Sequence, residues 1–350
     1  MKIIIFCSSL GRGGAERVAV NLAESFVERG HLVSIITVEK DAEEYDVPKG
    51  VYRYNLHSRR KTAKIFELRK KLIELQYDTV ITMCVPNSVY VIPATRGLNY
   101  TVIVSERSDP TRFSGKKSTK IISRLLLKKA NGCVFQTQRV KEYYAKRKIN
   151  GCVIGNPLTD AIARDNRKPT LQGDIIAVGR LSPPKNYPLM INAFKKVVEV
   201  SPKEKLSIYG AGKLHDELMT LINQTGLSEN VFLHGNIKNI YDVYLNAKAY
   251  VLTSDYEGIP NSLLEALAAG LPCVATDCES GGCRELIESV NGGMLVDLGK
   301  DDEVAEAILY NINNPRNLDV SIAQMKNIRE LYSIDRIADE WLEYIMEKRA

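Results

Sequence analysis

Tyr256-Glu257-Gly258-Ile259-Pro260-Asn261-Ser262-Leu263-Leu264-Glu265 is the stretch whose reading decides the fold. Two carboxylates stand eight residues apart, separated by a glycine, a proline and the start of an apolar helical run. Upstream, Lys248 to Thr253 reads as a strand; downstream, Leu263 to Ala269 reads as a helix ended by Gly270. Proline suits a first helical position, where its missing N–H costs nothing, so the spacing predicts that Pro260 opens the helix. The N–H groups of Asn261, Ser262 and Leu263 then face the strand end, and the helix dipole makes them a site for an anion. Glu265 lies one turn in, on the side of Asn261. A carboxylate there repels a phosphate but accepts hydrogen bonds from a vicinal diol. Amides for a phosphate beside an acid for a ribose describe a nucleotide site; a buried strand–loop–helix with Glu265 in solvent is the alternative.

Working outward, Asp174 to Gly179 reads as a buried strand, followed by Arg180-Leu181-Ser182-Pro183-Pro184-Lys185-Asn186. A helix follows with Met190, Ala193, Phe194 and Val197 on one face. Arg180 and Lys185 thus sit at the carboxyl end of a strand, where open α/β sheets bind ligands. Two cations there suit a diphosphate, Arg as a fork and Lys as a point charge; two exposed loop cations are the plainer reading. Lys205 to Tyr209 and Val231 to Gly235 read as further strands, with Gly210-Ala211-Gly212 and a helix from about His215 between them. A Gly-x-Gly pair alone says little, because any tight strand-to-helix turn uses it.

In joint order and spacing these motifs resemble the family 4 retaining glycosyltransferases of GT-B fold: Val178-Gly179-Arg180-Leu181 with Lys185-Asn186, then Gly210-Ala211-Gly212, Val231-Phe232-Leu233-His234-Gly235, and Glu257-x7-Glu265. Gly13-Gly14-Ala15-Glu16-Arg17-Val18 matches that family's opening loop. The resemblance runs from Met1 to the last helix and is nearest to bacterial enzymes that build capsular, exopolysaccharide or lipid-linked glycans. It implies two Rossmann-like, doubly wound parallel-sheet domains facing a central cleft. It also implies Arg180, Lys185 and Glu257 as catalytic residues, and donor contacts from Gly13, Gly14, Gly210, Gly212, Ile237, Gly258, Ile259, Pro260, Asn261, Ser262 and Glu265. The donor it implies is a nucleotide sugar, UDP-linked in the nearest-looking members although GDP-sugars occur in the family. The resemblance implies no requirement for a metal or other cofactor, and the chain has no Asp-x-Asp motif to hold a metal.

Composition agrees. The chain has 350 residues, which suits two domains of ordinary size, and its 45% hydrophobic and 26% charged residues suit a globular protein with real cores. No run approaches the roughly 20 apolar residues of a membrane span. Met1 to Cys7 leads straight into a glycine loop and an amphipathic helix, a first strand rather than a signal peptide. Seven scattered cysteines without a CxxC pair suit a reduced cytosolic compartment, and four histidines show no metal-ligand spacing.

The chain otherwise alternates strand and helix. Expected strands of the first half are Lys2–Cys7, His31–Thr37, Val51–Asn55, Thr79–Met83, Thr101–Ser105, Gly132–Gln136 and Cys152–Ile154, with helices such as Ala15–Arg29 and Ile65–Gln76 between them. The polar stretch from Asn156 to Pro169 reads as the linker. The expected organisation is an acceptor-binding domain over 1–165 and a nucleotide-sugar domain over 170–332. A terminal helix over 333–350, with Trp341 as a core residue, packs back on the first domain, as the resemblance implies.

Charge is unevenly spread. Residues 1–160 carry a net +13 and residues 161–350 a net −7. Such asymmetry suggests a polyanionic or membrane partner for the first half. His57 to Lys71 holds Arg59, Arg60, Lys61, Lys64, Arg69, Lys70 and Lys71 against Glu67. In Arg112 to Lys129, Lys116, Lys120, Arg124 and Lys128 recur every four residues beside Ile121, Ile122, Leu125 and Leu126. That is a basic amphipathic helix, fitted to an anionic membrane surface; the competing expectation, favoured on packing, is that the apolar stripe is consumed by the core. Arg59, Lys64 and Arg69 are candidates to grip the diphosphate of a lipid-linked acceptor.

Glu106 and Arg107 follow an expected strand and are further acceptor-side candidates. Many members of the resembled family have histidine at the position of Arg107, near the transferred sugar, so that contact is in doubt, and a Glu106–Arg107 pair satisfying itself is an equal reading. Two other functions are weighed. For a Rossmann dehydrogenase, Gly11-x-Gly13 follows a strand, but Glu16 stands where a third glycine belongs. For a nucleic-acid binder, few aromatics accompany the cations and no module motif is present. The expectation is transfer of a hexose or N-acetylhexosamine to a growing, polyprenyl-diphosphate-linked glycan at the cytoplasmic face of the membrane. A protein or small-molecule acceptor is the alternative.

Overall fold

The computed structural model describes every residue except Arg12 and residues 113–116; Lys116 of the expected basic helix therefore lies outside the described residues. The chain divides into two compact units: residues 1–159 with 332–350, and residues 160–331.

Unit 1 is built on β1 (Lys2–Cys7), β2 (Leu32–Thr37), β3 (Tyr52–Asn55), β4 (Thr79–Thr82), β5 (Thr101–Glu106), β6 (Gly132–Phe135) and β7 (Cys152–Val153). They form one sheet of order β3-β2-β1-β4-β5-β6-β7, parallel throughout. Continuous apolar runs such as Ile3-Ile4-Ile5-Phe6 are what a strand buried on both faces requires. One face packs Val18, Leu22 and Phe26 of the helix Gly14–Glu28 together with Ile337, Trp341 and Ile345 of the helix Ile334–Arg349. The other face packs Leu68 and Leu72 of the helix Lys61–Leu75, with Val91 and Ile92 of the helix Ser88–Thr95.

Unit 2 repeats the plan with β8 (Ile175–Val178), β9 (Leu206–Tyr209), β10 (Val231–Gly235), β11 (Ala249–Leu252), β12 (Cys273–Thr276) and β13 (Gly293–Val296). Its order is β10-β9-β8-β11-β12-β13, again all parallel. The helix Tyr187–Val200 buries Met190, Ala193, Phe194 and Val197, the face its periodicity predicts. In each sheet the winding reverses once, at β1/β4 and at β8/β11. Loops leaving adjacent strands in opposite directions open a crevice at such a point, and that is where ligands of doubly wound sheets sit.

One helix departs from expectation. In the helix Lys117–Leu127 three of the four residues of the apolar stripe stay outside the core, Ile121, Ile122 and Leu125 being 60%, 50% and 62% exposed, while Leu126 packs partly against it. Ser123 and Leu127 face inward instead.

Candidate functional site

The switch point of unit 2 collects the motifs. Lys185 follows β8 and Glu257 follows β11, 72 residues later, yet Lys185 Nζ lies 2.5 Å from Glu257 Oε1. The two loops are stitched together around this pair. Thr253 Oγ1 donates to the carbonyls of Lys185 and Asn186 at 3.2 and 3.0 Å, Asn186 Nδ2 donates to Asp255 Oδ1 at 2.7 Å, and the Asp255 N–H reaches the Pro184 carbonyl at 2.9 Å. Ser254 Oγ donates to Glu257 Oε1 at 2.8 Å, and Ser280 Oγ donates to the Glu257 carbonyl. Asn186 makes the turn in the left-handed region (φ 46°) and caps the next helix through Leu189 N–H. Asn tolerates that conformation better than most residues. Arg180 leaves the same strand end and is exposed.

Two further loops close in from either side. The Leu181 N–H donates to Ala211 O at 3.0 Å, and a Cβ on Gly212 would stand 2.1 Å from the Leu181 carbonyl oxygen. The Gly-x-Gly pair is therefore dictated by backbone-to-backbone approach between the β8 and β9 loops. On the other side, a Cβ on Gly282 would lie 1.8 Å from the Gly258 carbonyl oxygen. Ile237 follows β10 and is 38% exposed.

The helix Asn261–Ala268 begins one residue later than expected. Pro260 is its N-cap, in extended backbone (φ −75°, ψ 112°), not its first helical residue. Its carbonyl accepts from the Leu263 and Leu264 N–H groups at 3.1 Å each. Leu263 is thereby removed from the proposed anion site, since its amide is spent on the cap; the helix mouth is formed by Asn261 and Ser262. Ser262 is held by Tyr250, whose Oη donates to Ser262 Oγ at 2.8 Å. Glu265 is buried, not solvated. Tyr244 Oη bridges Glu265 Oε2 at 3.3 Å and the Ser262 carbonyl at 3.1 Å. A buried carboxylate fixed by a tyrosine one turn inside a helix mouth is a preset hydrogen-bond acceptor.

Among residues the sequence reading missed, Ser254, Asp255, Asn186, Ser280 and Tyr244 matter most. Ser254, Asp255, Asn186 and Ser280 are single polar residues near glycine or proline loops, and Tyr244 sits within the helix Ile240–Asn246; such residues acquire meaning only when distant segments meet.

Unit 1 shows a different arrangement of its candidates. Gly13 caps the helix Gly14–Glu28. The preceding loop is held from the side: the Tyr45 N–H donates to Leu10 O at 2.9 Å, and Arg53 grips Glu44 with two bonds of 2.7 and 2.8 Å. That guanidinium lowers the Glu44 pKa to about 2. Across the β1/β4 switch, Ser8 Oγ donates to Asn87 Oδ1 at 3.0 Å. The expected mutual pair of Glu106 and Arg107 is not formed. Successive residues leaving a strand point to opposite faces. Glu106 accepts from Tyr144 Oη at 2.7 Å and Ser108 Oγ at 2.9 Å, and burial pushes its carboxyl pKa up. Arg107 turns the other way, donates to Asn156 Oδ1 at 2.8 Å and Gly155 O at 3.3 Å, and lies over the Trp341 ring; burial lowers its pKa to about 10.

The lysine and arginine candidates of the second helix also separate. Lys64 is buried and donates to the Val38 carbonyl at 2.9 Å. Arg69 donates to Ala94 O and Arg96 O at 3.0 and 2.7 Å, satisfying carbonyls at the end of the helix Ser88–Thr95. Arg59 is exposed. Geometry thus engages Lys64 and Arg69 in packing and leaves Arg59 at the surface.

Comparison with known proteins agrees with the two-sheet fold. The family model Glycosyltransferase Family 4 matches residues 12–159, and Glycosyl transferases group 1 matches residues 159–328. An uncharacterized glycosyltransferase of Haemophilus influenzae is 26% identical over 351 residues, covering 97% of this chain and 98% of that one. The Campylobacter jejuni alpha-1,4-N-acetyl-D-galactosaminyltransferase of GalNAc-alpha-(1->4)-GalNAc-alpha-(1->3)-diNAcBac-PP-undecaprenol is 29% identical over 371 residues, 99% of each chain. Among solved structures, S. aureus TarM in complex with Fondaparinux, alpha-GlcNAc-glycerol and UDP superposes with a TM-score of 0.82 at 15% identity, covering 99% of this chain and 100% of that one.

Proposed function

The chain belongs to the family 4 glycosyltransferases, and from that premise we propose that it transfers a hexose or N-acetylhexosamine from a UDP-sugar to a growing bacterial surface glycan carried on a polyprenyl diphosphate. In this reading the transfer retains the anomeric configuration and needs no metal. The observation that carries the reading is the β8/β11 switch point, where the loops bearing Arg180, Lys185, Glu257 and the mouth of the Asn261 helix leave the carboxyl ends of two adjacent strands, with Lys185 paired to Glu257. A leaving diphosphate gains two cations and oriented amides there, and electrostatic stabilisation of a developing anion is often the largest catalytic contribution. Lys185 waits on Glu257 until a phosphate competes for it. Glu265, fixed by Tyr244, takes the ribose hydroxyls. Both are built into unit 2 alone.

The acceptor follows from the relative of 29% identity, whose name specifies an undecaprenol-diphosphate-linked glycan. Unit 1 supplies a matching surface. No helix among the described residues is long and apolar enough to cross a membrane. The Lys117 helix instead presents Ile121, Ile122 and Leu125 to the outside, followed by Lys128 and Lys129, and the Lys61 helix exposes Phe66 and starts at exposed Arg59, Arg60 and Lys61. Apolar side chains bordered by cations suit the headgroup region of an anionic bilayer. We therefore place the enzyme on the cytoplasmic face of the cell membrane.

The test is an assay with short polyprenyl-diphosphate-linked acceptors and a panel of UDP- and GDP-sugars in chelator, with the new linkage read by NMR. Transfer from a UDP-sugar with the donor's anomeric configuration supports the reading. Inversion, dependence on a divalent metal, or transfer from GDP-sugars alone contradicts it.

A further inference from the structure

Unit 1 contains a small cavity at the carboxyl ends of β4 and β5. Glu106, Ser108, Asp109, Lys120, Arg124 and Tyr144 line it, with Val85 and Pro86 as an apolar wall. Asp109 is only 2% exposed. Its Oδ1 accepts from the Thr111 N–H at 2.8 Å and from Thr111 Oγ1 at 2.7 Å, which fixes the carboxylate in place. Its Oδ2 is buried and has no hydrogen-bond partner among the described residues. Folded chains rarely leave a buried carboxylate oxygen without a donor unless water or a ligand supplies one. None of the neighbouring groups donates to it: Glu106 is engaged by Tyr144 and Ser108, Arg124 donates to Pro110 O at 3.2 Å and to Tyr143 Oη, and the Lys120 ammonium acts on Asp109 through its charge and not through a hydrogen bond to Oδ2.

The chemistry of the wall selects the missing donor. An ammonium group would meet Lys120 and Arg124, and an anion would meet Asp109 and Glu106, so each charged guest faces a like charge. A neutral hydroxyl meets no such objection, since it donates to Asp109 Oδ2 and offers lone pairs to cationic side chains. The cavity measures about 20 Å³, room for one water-sized group rather than a sugar ring. We infer that this cavity receives a single hydroxyl or hydroxymethyl group of the acceptor sugar, and that Asp109 selects for it. The inference rests on the glycan-transfer reading and names a specificity-determining contact within it.

The experiment uses the full chain with its nucleotide site saturated by UDP. Saturation-transfer NMR is recorded for the methyl glycosides of glucose, galactose, N-acetylglucosamine and N-acetylgalactosamine, and for their monodeoxy analogues. At least one parent glycoside binds, and removing one particular hydroxyl weakens it tenfold or more. Asp109→Asn keeps the acceptor for Thr111 but places an amide N–H₂ where Oδ2 stood, and weakens the parent glycoside by a similar factor while UDP binding is unchanged. The deoxy series on the unaltered protein decides the matter even if the variant does not fold. Absence of binding by every glycoside overturns the inference, as does equal binding of all deoxy analogues. Undiminished binding by Asp109→Asn also overturns it, leaving the cavity a place for an ordered water only. Failure of UDP itself to bind strikes the donor reading instead, so the two failures are told apart.

Discussion

Lys185 and Glu257 are the residues on which most depends, because each has two partners to choose from. In the structure they hold one another at 2.5 Å; with a diphosphate present, Lys185 has a second anion in reach. Arg180→Ala and Lys185→Ala are each expected to lower turnover by about two to three orders of magnitude, the scale of losing one preorganised charge contact. Steady-state rates check this, and near-normal turnover in both variants removes the assignment. Because Lys185 and Glu257 act as a unit, adding Glu257→Ala to Lys185→Ala should cost less than the two single losses together. At this scale the sequence marked both residues as candidates but did not show their pairing. Both residues follow strands and precede helices, and that much is visible in one dimension. Their meeting depends on β8 and β11 being neighbours, which no local pattern states. The same limit explains Arg107: residue type suggested a partner in Glu106, and the alternation of strand side chains gave it Asn156 and Trp341 instead.

Among the elements, the Lys117 helix is where the amphipathic pattern misled. An apolar stripe of helical period is ordinarily a core face, yet here Ile121, Ile122 and Leu125 stay outside. In vesicle co-sedimentation at low salt, binding should rise with anionic lipid and fall with added salt. Replacing Arg59, Arg60 and Lys61 by Ser should weaken it by about 1 kcal/mol per residue. Replacing Ile121, Ile122 and Leu125 by Ser should weaken it in a salt-independent way. Equal indifference to neutral and anionic vesicles contradicts the membrane assignment. The segment that holds the glycine-rich loop offers a second test. Arg53 lowers the Glu44 pKa to about 2, below the roughly 4.3 of an unfolded glutamate. The pair's stabilisation is therefore fully present above about pH 5 and is lost as the pH falls through about 2. Denaturant midpoints measured against pH should show a shallower acid decline for Glu44→Gln than for the unaltered chain. Identical acid limbs would show that the pair contributes nothing.

For the whole molecule, two sheets of the same winding order carry the account. Their strands were readable because parallel strands buried on both faces appear as short continuous apolar runs, such as Ile3–Phe6 and Ile175–Val178, separated by longer helical periods. Strand order was not readable, and with it the fact that the Arg180–Lys185 and Glu257–Glu265 segments flank a single reversal at β8/β11. The helix start shifted by one residue at Pro260 because a proline cap and a proline at the first helical position look alike in sequence. The proposed function puts a nucleotide at this reversal in unit 2, with its ribose on Glu265. Calorimetric titration of UDP and 2′-deoxy-UDP into the unaltered chain and into Glu265→Ala decides whether it is there. UDP should bind the unaltered chain, and loss of either the 2′-hydroxyl or the Glu265 carboxylate should weaken binding by about 1–3 kcal/mol, with little further loss when both are absent. Equal affinity of both nucleotides for both proteins would contradict it.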